Sequence, residues 1–178
     1  MLNYVYMLED TPIKVGDELV EYGKVYKVYK IADKEMYNGK IEKHVFFKPL
    51  FETSENHTLS CSVPLRNVKL ANIRRPWGKK KINRIITILT REFEGEYEPI
   101  DVNEAKDILK LNNPSKSARV LRNIWVELND DELNTTKSRK DVFELSIKTL
   151  AQEVAFAYNL TLEKAEAKLT RALKKSLN

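Results

Sequence analysis

The feature that most constrains the fold of this 178-residue chain is a change in the spacing of its apolar residues near residue 75. Before that point, β-branched and aromatic residues form short runs separated by Gly, Pro and Asn, as in antiparallel strands. After it, apolar residues recur every three or four positions, as on one face of a helix. Pro76 and Gly78 interrupt both patterns. We therefore predict an α+β protein with two domains, residues 1–75 and residues 79–178.

Five runs in the first domain are expected to be strands, over residues 15–20, 25–31, 41–51, 59–63 and 68–73. The pair Asn38-Gly39 lies between the second and third runs and predicts a hairpin, because type I′ turns need positive φ at both central residues. Five or six short antiparallel strands in so few residues indicate a small, strongly bent β-barrel of the SH3 or Tudor kind.

The second domain is expected to be all-α, with about five helices. Asp101 is followed three residues later by Glu104, which predicts a capped helix start. The longest helix is predicted to run from about Lys137 to Tyr158, and the last to begin after Thr161 as N-cap. Trp125 shares an apolar helix face with neighbouring leucines, so we expect it to be a buried core residue.

The composition favours a non-enzymatic protein without metal or cofactor. Two histidines and one cysteine give no zinc-ligand spacing, and five glycines give no phosphate-binding loop. No apolar run approaches the ~18 residues of a membrane span, and no basic leader opens the chain, so we expect a cytoplasmic protein. A hydrolase that uses the carboxylates of residues 92–107 is the remaining enzymatic alternative.

The distribution of charge indicates a nucleic-acid surface. Residues 66–91 hold nine Lys and Arg and no acid, whereas residues 92–107 hold seven Asp and Glu and a single Lys. Cations around Trp77 can contact phosphates while the indole ring stacks or wedges. The plainer interpretation is a solvated helix start with Trp77 packed at a hinge. The candidate DNA-binding residues are Arg74, Arg75, Trp77, Lys79, Lys80, Lys81 and Arg84, extended by Arg119, Arg122, Lys137, Arg139 and Lys140.

Four motifs follow each other along the chain: Lys14-Val15-Gly16-Asp17-x-x-Val20, Ser62-Val63-Pro64-x-x-Asn67-Val68 with Ile73-Arg74, Val120-Leu121-Arg122-Asn123-Ile124-Trp125, and Leu150-Ala151-x-Glu153-Val154-Ala155. In these motifs and their order, the chain resembles the CarD/CdnL family of bacterial transcription regulators from about residue 14 to residue 173. The first domain of that family also occurs in transcription-repair coupling factors.

The resemblance implies a Tudor-like domain that docks on the β subunit of RNA polymerase, and a helical domain that contacts promoter DNA. Contact at the upstream edge of the transcription bubble would stabilise the open complex without reading bases. The implied polymerase-binding residues are Lys34, Glu35, Lys43 and Ser62. Tyr97 is nearest to the position of the family's wedge tryptophan, within an acidic segment. We expect a monomer associated with the nucleoid.

Two other functions stay open. A protein-interaction module could bind polymerase or another protein without DNA, as the acidic residues 92–107 would favour. An RNA- or ribosome-associated SH3-like barrel could instead stack bases on its tyrosines. The tyrosines available for stacking would be Tyr26, Tyr29 and Tyr37.

Overall fold

A computed structural model of the chain describes residues 7–8, 11–91, 99–130 and 135–177. The chain divides into two compact units, Met1–Pro76 and Trp77–Asn178, and the secondary structure makes it an α+β protein. Within the described ranges, no helix is long and apolar enough to cross a membrane.

Unit 1 is built on a curled antiparallel sheet of four strands in the order β3-β4-β5-β6. The two-residue strands β1 (Met7–Leu8) and β2 (Thr11–Pro12) pair separately. One face of the sheet carries the core residues Val45 and Phe47, and adjacent residues are buried at Leu19-Val20, Val25-Tyr26 and His44-Val45. Their bounds are β3 Glu18–Glu21, β4 Lys24–Glu35, β5 Ile41–Pro49 and β6 Cys61–Pro64.

The predicted hairpin is present between β4 and β5, but its turn is not of type I′. The N–H of Met36 donates to the carbonyl of Lys40, and the N–H of Gly39 donates to the carbonyl of Met36. Of the pair Asn38-Gly39, only Gly39 has positive φ, at +73°. Three residues therefore form the loop, and glycine takes the left-handed position that ends it.

The strand predicted over residues 68–73 is wrong. Pro64 ends β6, a 3₁₀ turn covers Leu65–Asn67, and Asn72 has φ of +55°, which no strand accommodates. The residue that pairs with the sheet is Arg74, directly after this segment, and it forms two backbone hydrogen bonds to Val20. Val68 and Ile73 still enter the core from these turns, whereas Leu70 is exposed.

Unit 2 contains five helices in the described ranges. Helix α4 has the bounds expected from sequence, with the Thr136 hydroxyl accepting from the N–H of Arg139 and Asn159 in the left-handed conformation at its end. The Asp101 carboxylate caps α2 by accepting from the N–H groups of Asn103 and Glu104. The helices are α1 Lys79–Thr90, α2 Val102–Lys110, α3 Pro114–Leu128, α4 Lys137–Tyr158 and α5 Leu162–Lys174.

Trp125 is only partly buried, so the prediction of a core tryptophan is wrong in degree. Its ring stacks on Phe143 of α4, with centroids 5.8 Å apart. Leu121, one turn earlier on the same face of α3, is fully buried, whereas Trp125 and Leu128 are intermediate. The apolar stripe therefore faces the core at Leu121 and becomes partly exposed toward the end of the helix.

Candidate functional site

The four residues implied to bind polymerase lie on two different faces of the β4–β5 hairpin. Residues paired across neighbouring strands share a face, and successive residues along a strand alternate. Lys34 pairs with Glu42, whereas Glu35 pairs with Ile41 and Lys43 with Asp33. Lys34 and Ser62 therefore share the outer face, opposite the core residues Val45 and Phe47, while Glu35 and Lys43 lie on the other face.

Two polar contacts extend across the outer face. The Lys34 ammonium donates to the Ser62 hydroxyl at 3.3 Å, and Arg66 forms an ion pair with Glu42 at 2.7 Å. Ser62 is opposite Phe46 in the register, and Lys34 is opposite Glu42. The Lys34 side chain therefore crosses β5 at the intervening residue, His44. This layer joins three strands through exposed lysine and arginine side chains, while the Glu42 carboxylate is largely buried.

Beneath that layer, His44 is buried, with 3% of its surface exposed. Neither ring nitrogen has a hydrogen-bond partner in the described part of the chain. Burial, followed by the charge of Lys34, lowers the pKa of the His44 imidazole, and Glu42 opposes that shift. The sequence gives His44 no ligand spacing, and in the described residues it belongs to no group of three or more side chains that could hold a metal ion.

The arginines at the end of unit 1 are partly used for internal contacts. The Arg75 guanidinium donates to the Asp17 carboxylate at 3.0 Å and to the Pro12 carbonyl at 3.2 Å. The Arg74 guanidinium donates to the Arg75 carbonyl, and the Arg74 backbone pairs with Val20. Both arginines are half-buried. Arg75 connects Pro12 and Asp17 to the end of unit 1.

The start of α1 places four cations in solvent, at Lys79, Lys80, Lys81 and Arg84. Its N-cap, Gly78, offers no side-chain acceptor, and its first turn holds no acid. The compensating anion comes from α4, where the Glu153 carboxylate accepts from the N–H of Trp77 at 2.6 Å. The Trp77 ring is partly buried, and the Lys81 ammonium lies 5.6 Å from its centroid.

A second aromatic residue, Tyr158, is flanked by lysines of two helices. The Lys79 ammonium lies 5.2 Å from the ring centroid and the Lys168 ammonium 4.4 Å from it. The Tyr158 hydroxyl donates to the side-chain carbonyl of Asn83, one turn after Lys79. The sequence analysis names Tyr158 only as the end of the longest helix and does not name Lys168, because only the packing of α1, α4 and α5 brings the two residues together.

The cations of α3 and α4 have different roles. Arg119, Lys137 and Lys140 are exposed, whereas Arg122 donates to the Arg91 carbonyl at 3.0 Å. Arg139 forms an ion pair with the buried Glu127 at 3.0 Å and also donates to the Ile100 carbonyl. Burial raises the pKa of Glu127, and the charge of Arg139 opposes this rise. Arg139 is therefore an internal pairing residue.

The described residues show no group of three or more His, Cys, Asp or Glu side chains placed to hold a metal ion. Cys61 packs against the core of unit 1, and burial raises the pKa of its thiol. Of the acidic stretch, Asp101 caps α2 and Asp107 pairs with Lys110, while Tyr97 and the acids at 92–98 lie outside the described residues.

The tyrosines of the RNA-binding alternative are not equivalent. Tyr26 is buried edge-on against Phe47, and burial raises the pKa of Tyr26 to about 12. Tyr29 is exposed and shares a hydrogen bond with Ser60, and Tyr37 is fully exposed in the hairpin loop. Tyr26 therefore cannot stack on a base.

A comparison of this sequence with models of known protein families and with curated proteins finds no match.

Proposed function

We propose that the protein is a non-enzymatic, CarD-like regulator of transcription, in which unit 1 docks on the β subunit of RNA polymerase and unit 2 contacts promoter DNA. The observation that carries the proposal is the start of α1. Four exposed cations and a partly exposed tryptophan lie there together, and the anion that stabilises the helix start is buried beneath them at Glu153.

Such a surface suits phosphate contact without base readout. Lysines near a helix N-terminus oppose the helix dipole, so the dipole does not account for three of them in succession there. A phosphodiester backbone would neutralise them and release its counterions. We refer to Lys79, Lys80, Lys81 and Arg84 as the α1 cations, and we place the DNA contact there. Arg75 and Arg139 leave the candidate set, because their guanidinium groups are already paired.

In unit 1, the curled four-stranded sheet supports a Tudor-like domain. Strand β6 is last in the strand order, so a partner strand can add to its outer edge through main-chain hydrogen bonds. Ser62 lies in the middle of that strand, and Lys34 donates to it from across the sheet. We therefore assign polymerase contact to Lys34, Ser62 and the β6 edge, and not to Lys43 on the other face.

The second candidate function is a protein-interaction module that binds polymerase without DNA. It is favoured by the internal use of Arg75, Arg122 and Arg139, which leaves a smaller basic surface than the sequence predicts. The RNA-binding alternative is weaker, because Tyr26 is a core residue.

The test is the lifetime of promoter open complexes after a competitor challenge, with and without the protein. We expect the wild-type protein to lengthen the lifetime, and K79Q/K80Q/K81Q to abolish the effect while still binding polymerase. The control triple, K106Q/K116Q/K148Q, removes three exposed lysines from α2, α3 and α4 and should behave as wild type. An effect retained by K79Q/K80Q/K81Q would favour the module without DNA contact.

A further inference from the structure

Helix α5 has a row of cations along one side. Lys164, Lys168, Arg171 and Lys175 follow each other at spacings of four, three and four residues. Because a helix turns about 100° per residue, these positions fall within an arc of roughly 60°. Lys175 is the C-cap, and its helical dihedrals (φ −72°, ψ −16°) continue the row. We refer to these four residues as the α5 stripe.

The α5 stripe continues onto α1 through Tyr158. Lys168 of the stripe and Lys79 of the α1 cations both lie over that ring, at 4.4 Å and 5.2 Å from its centroid. The ring is held in place because its hydroxyl donates to Asn83. Lys79 of α1 and Lys168 of α5 therefore lie beside the same tyrosine ring, and the hydroxyl of that tyrosine is already hydrogen-bonded to Asn83.

No carboxylate in the described residues forms an ion pair with a side chain of the α5 stripe. The two acids of the helix, Glu163 and Glu166, lie about 100° or more around the helix from the centre of the stripe. Arg171 and Lys175 lie at the end of α5, where cations suit the helix dipole, but the other two cations of the stripe have no such role. Like charges at i,i+4 destabilise a helix modestly, so helix stability accounts for only half of the stripe.

We propose that the α5 stripe and Lys79 form a surface that binds the sugar-phosphate backbone of duplex DNA. The stripe is about 16 Å long, a distance over which duplex DNA presents roughly ten phosphates. No exposed large apolar side chain lies in the arc, since Leu177 projects to another side of the helix. Protein partners are bound through apolar and aromatic centres, whereas a phosphate backbone needs only ordered cations.

This inference deepens the DNA contact of the proposed function and rests on it, because it names residues beyond the α1 cations. It also extends the proposed DNA-binding surface to α5, a helix that contains none of the DNA-binding residues predicted from the sequence. Lys168 and Lys79 also pack on Tyr158, so the residues to change are the three stripe cations that are fully exposed, Lys164, Arg171 and Lys175.

The experiment measures binding of the full chain to a labelled 20-base-pair duplex by fluorescence anisotropy across a salt series. For K164Q/R171Q/K175Q, we expect the slope of log K against log salt to flatten by about 2.7, at roughly 0.9 per lost contact. We expect Kd in 100 mM salt to rise at least tenfold. Glutamine keeps helix propensity, and circular dichroism and melting should be unchanged.

The control triple, K106Q/K116Q/K148Q, lowers net charge by the same amount and should change the slope by less than one. The proposal is overturned if the stripe variant keeps the wild-type slope, if both triples lose the same slope, or if wild type binds no duplex. Displacement of DNA by polyglutamate at equal charge concentration would overturn it in favour of an acidic protein partner. Failure of wild type to bind polymerase would overturn the docking part of the proposed function and leave the DNA result standing.

Discussion

The carboxylate of Glu153, in the last third of α4, accepts a hydrogen bond at 2.6 Å from the backbone N–H of Trp77, the residue before the N-cap of α1. Only 1% of the Glu153 surface is exposed. A buried anion beside a helix N-terminus is stabilised by the helix dipole. The contact explains how α1 can begin at Gly78 with three lysines and no capping side chain of its own.

We expect Glu153→Ala to lower the free energy of unfolding of unit 2 by roughly 2–4 kcal/mol, because it removes a charge-assisted hydrogen bond and leaves a cavity. Glu153→Gln keeps an acceptor and the volume, and should cost about 1 kcal/mol, from the lost charge at the helix start. Urea unfolding monitored by helical circular dichroism measures both. Wild-type stability of the Ala variant would contradict this role.

The helices could be predicted from local signals in the sequence. Thr136 and Asn159 enclose α4 by capping rules that need no knowledge of the rest of the fold. The turn segment after Pro64 could not be predicted, because its β-branched residues Val68 and Ile73 favour a strand by propensity but are buried by turns. The hairpin was predicted correctly, but the predicted type I′ turn is wrong. Asn38-Gly39 also fits the observed three-residue loop, in which glycine is the last residue.

The candidate site was harder to predict, because its contacts join distant parts of the chain. Arg75 pairs with Asp17, 58 residues earlier, and no local pattern distinguishes it from Arg74. Arg139 lies between the exposed Lys137 and Lys140 and differs from them only in facing Glu127. The α5 stripe is visible as a spacing of cations, but its link to Lys79 through Tyr158 depends on tertiary packing.

Arg139 and Lys140 provide a matched comparison of an internal and an exposed cation. Arg139→Ala leaves the carboxylate of Glu127 buried without its ion pair, and should cost about 2–3 kcal/mol. Lys140→Ala removes an exposed charge and should cost under about 0.5 kcal/mol. Thermal melting of both variants tests this. The double variant Glu127→Ala/Arg139→Ala should recover part of the loss, and a strictly additive loss would argue against the pairing.

The indole N–H of Trp125 is buried and has no hydrogen-bond partner among the described residues. A buried donor without a partner costs about 1–3 kcal/mol. Trp125→Phe removes that donor and retains the stack on Phe143, so its stability should equal or slightly exceed that of wild type. Trp125→Ala loses the stack and should be about 2–3 kcal/mol less stable. Equal losses in both variants, measured by urea unfolding, would show that the N–H is bonded.

The burial of His44 predicts a pH dependence of stability in unit 1. Since its pKa is lowered from the ordinary value of 6.5, its contribution is complete above that pH. The contribution is lost as the pH falls through the lowered pKa, because the unfolded chain then binds the proton more readily. Between pH 8 and pH 5.5, Tm should therefore fall on acidification. The fall should correspond to the uptake of at most one proton per molecule on unfolding.

The chain supplies its own control for this prediction, since its other histidine, His57, is exposed. His44→Leu should flatten the dependence of Tm on pH over this range, and His57→Gln should leave it unchanged. A wild-type slope in His44→Leu would assign the dependence to other groups.

The central claim is that unit 1 docks on RNA polymerase through the face that carries Lys34 and Ser62. Biolayer interferometry of the full chain against core polymerase tests it most directly, with Lys34→Glu and Lys43→Glu as a matched pair. Both lysines are exposed and close in the hairpin, but they lie on opposite faces. We predict that wild type binds, that Lys34→Glu weakens binding at least tenfold, about 1.4 kcal/mol, and that Lys43→Glu changes it less than twofold. Absence of wild-type binding, or an equal loss in both variants, would contradict the account.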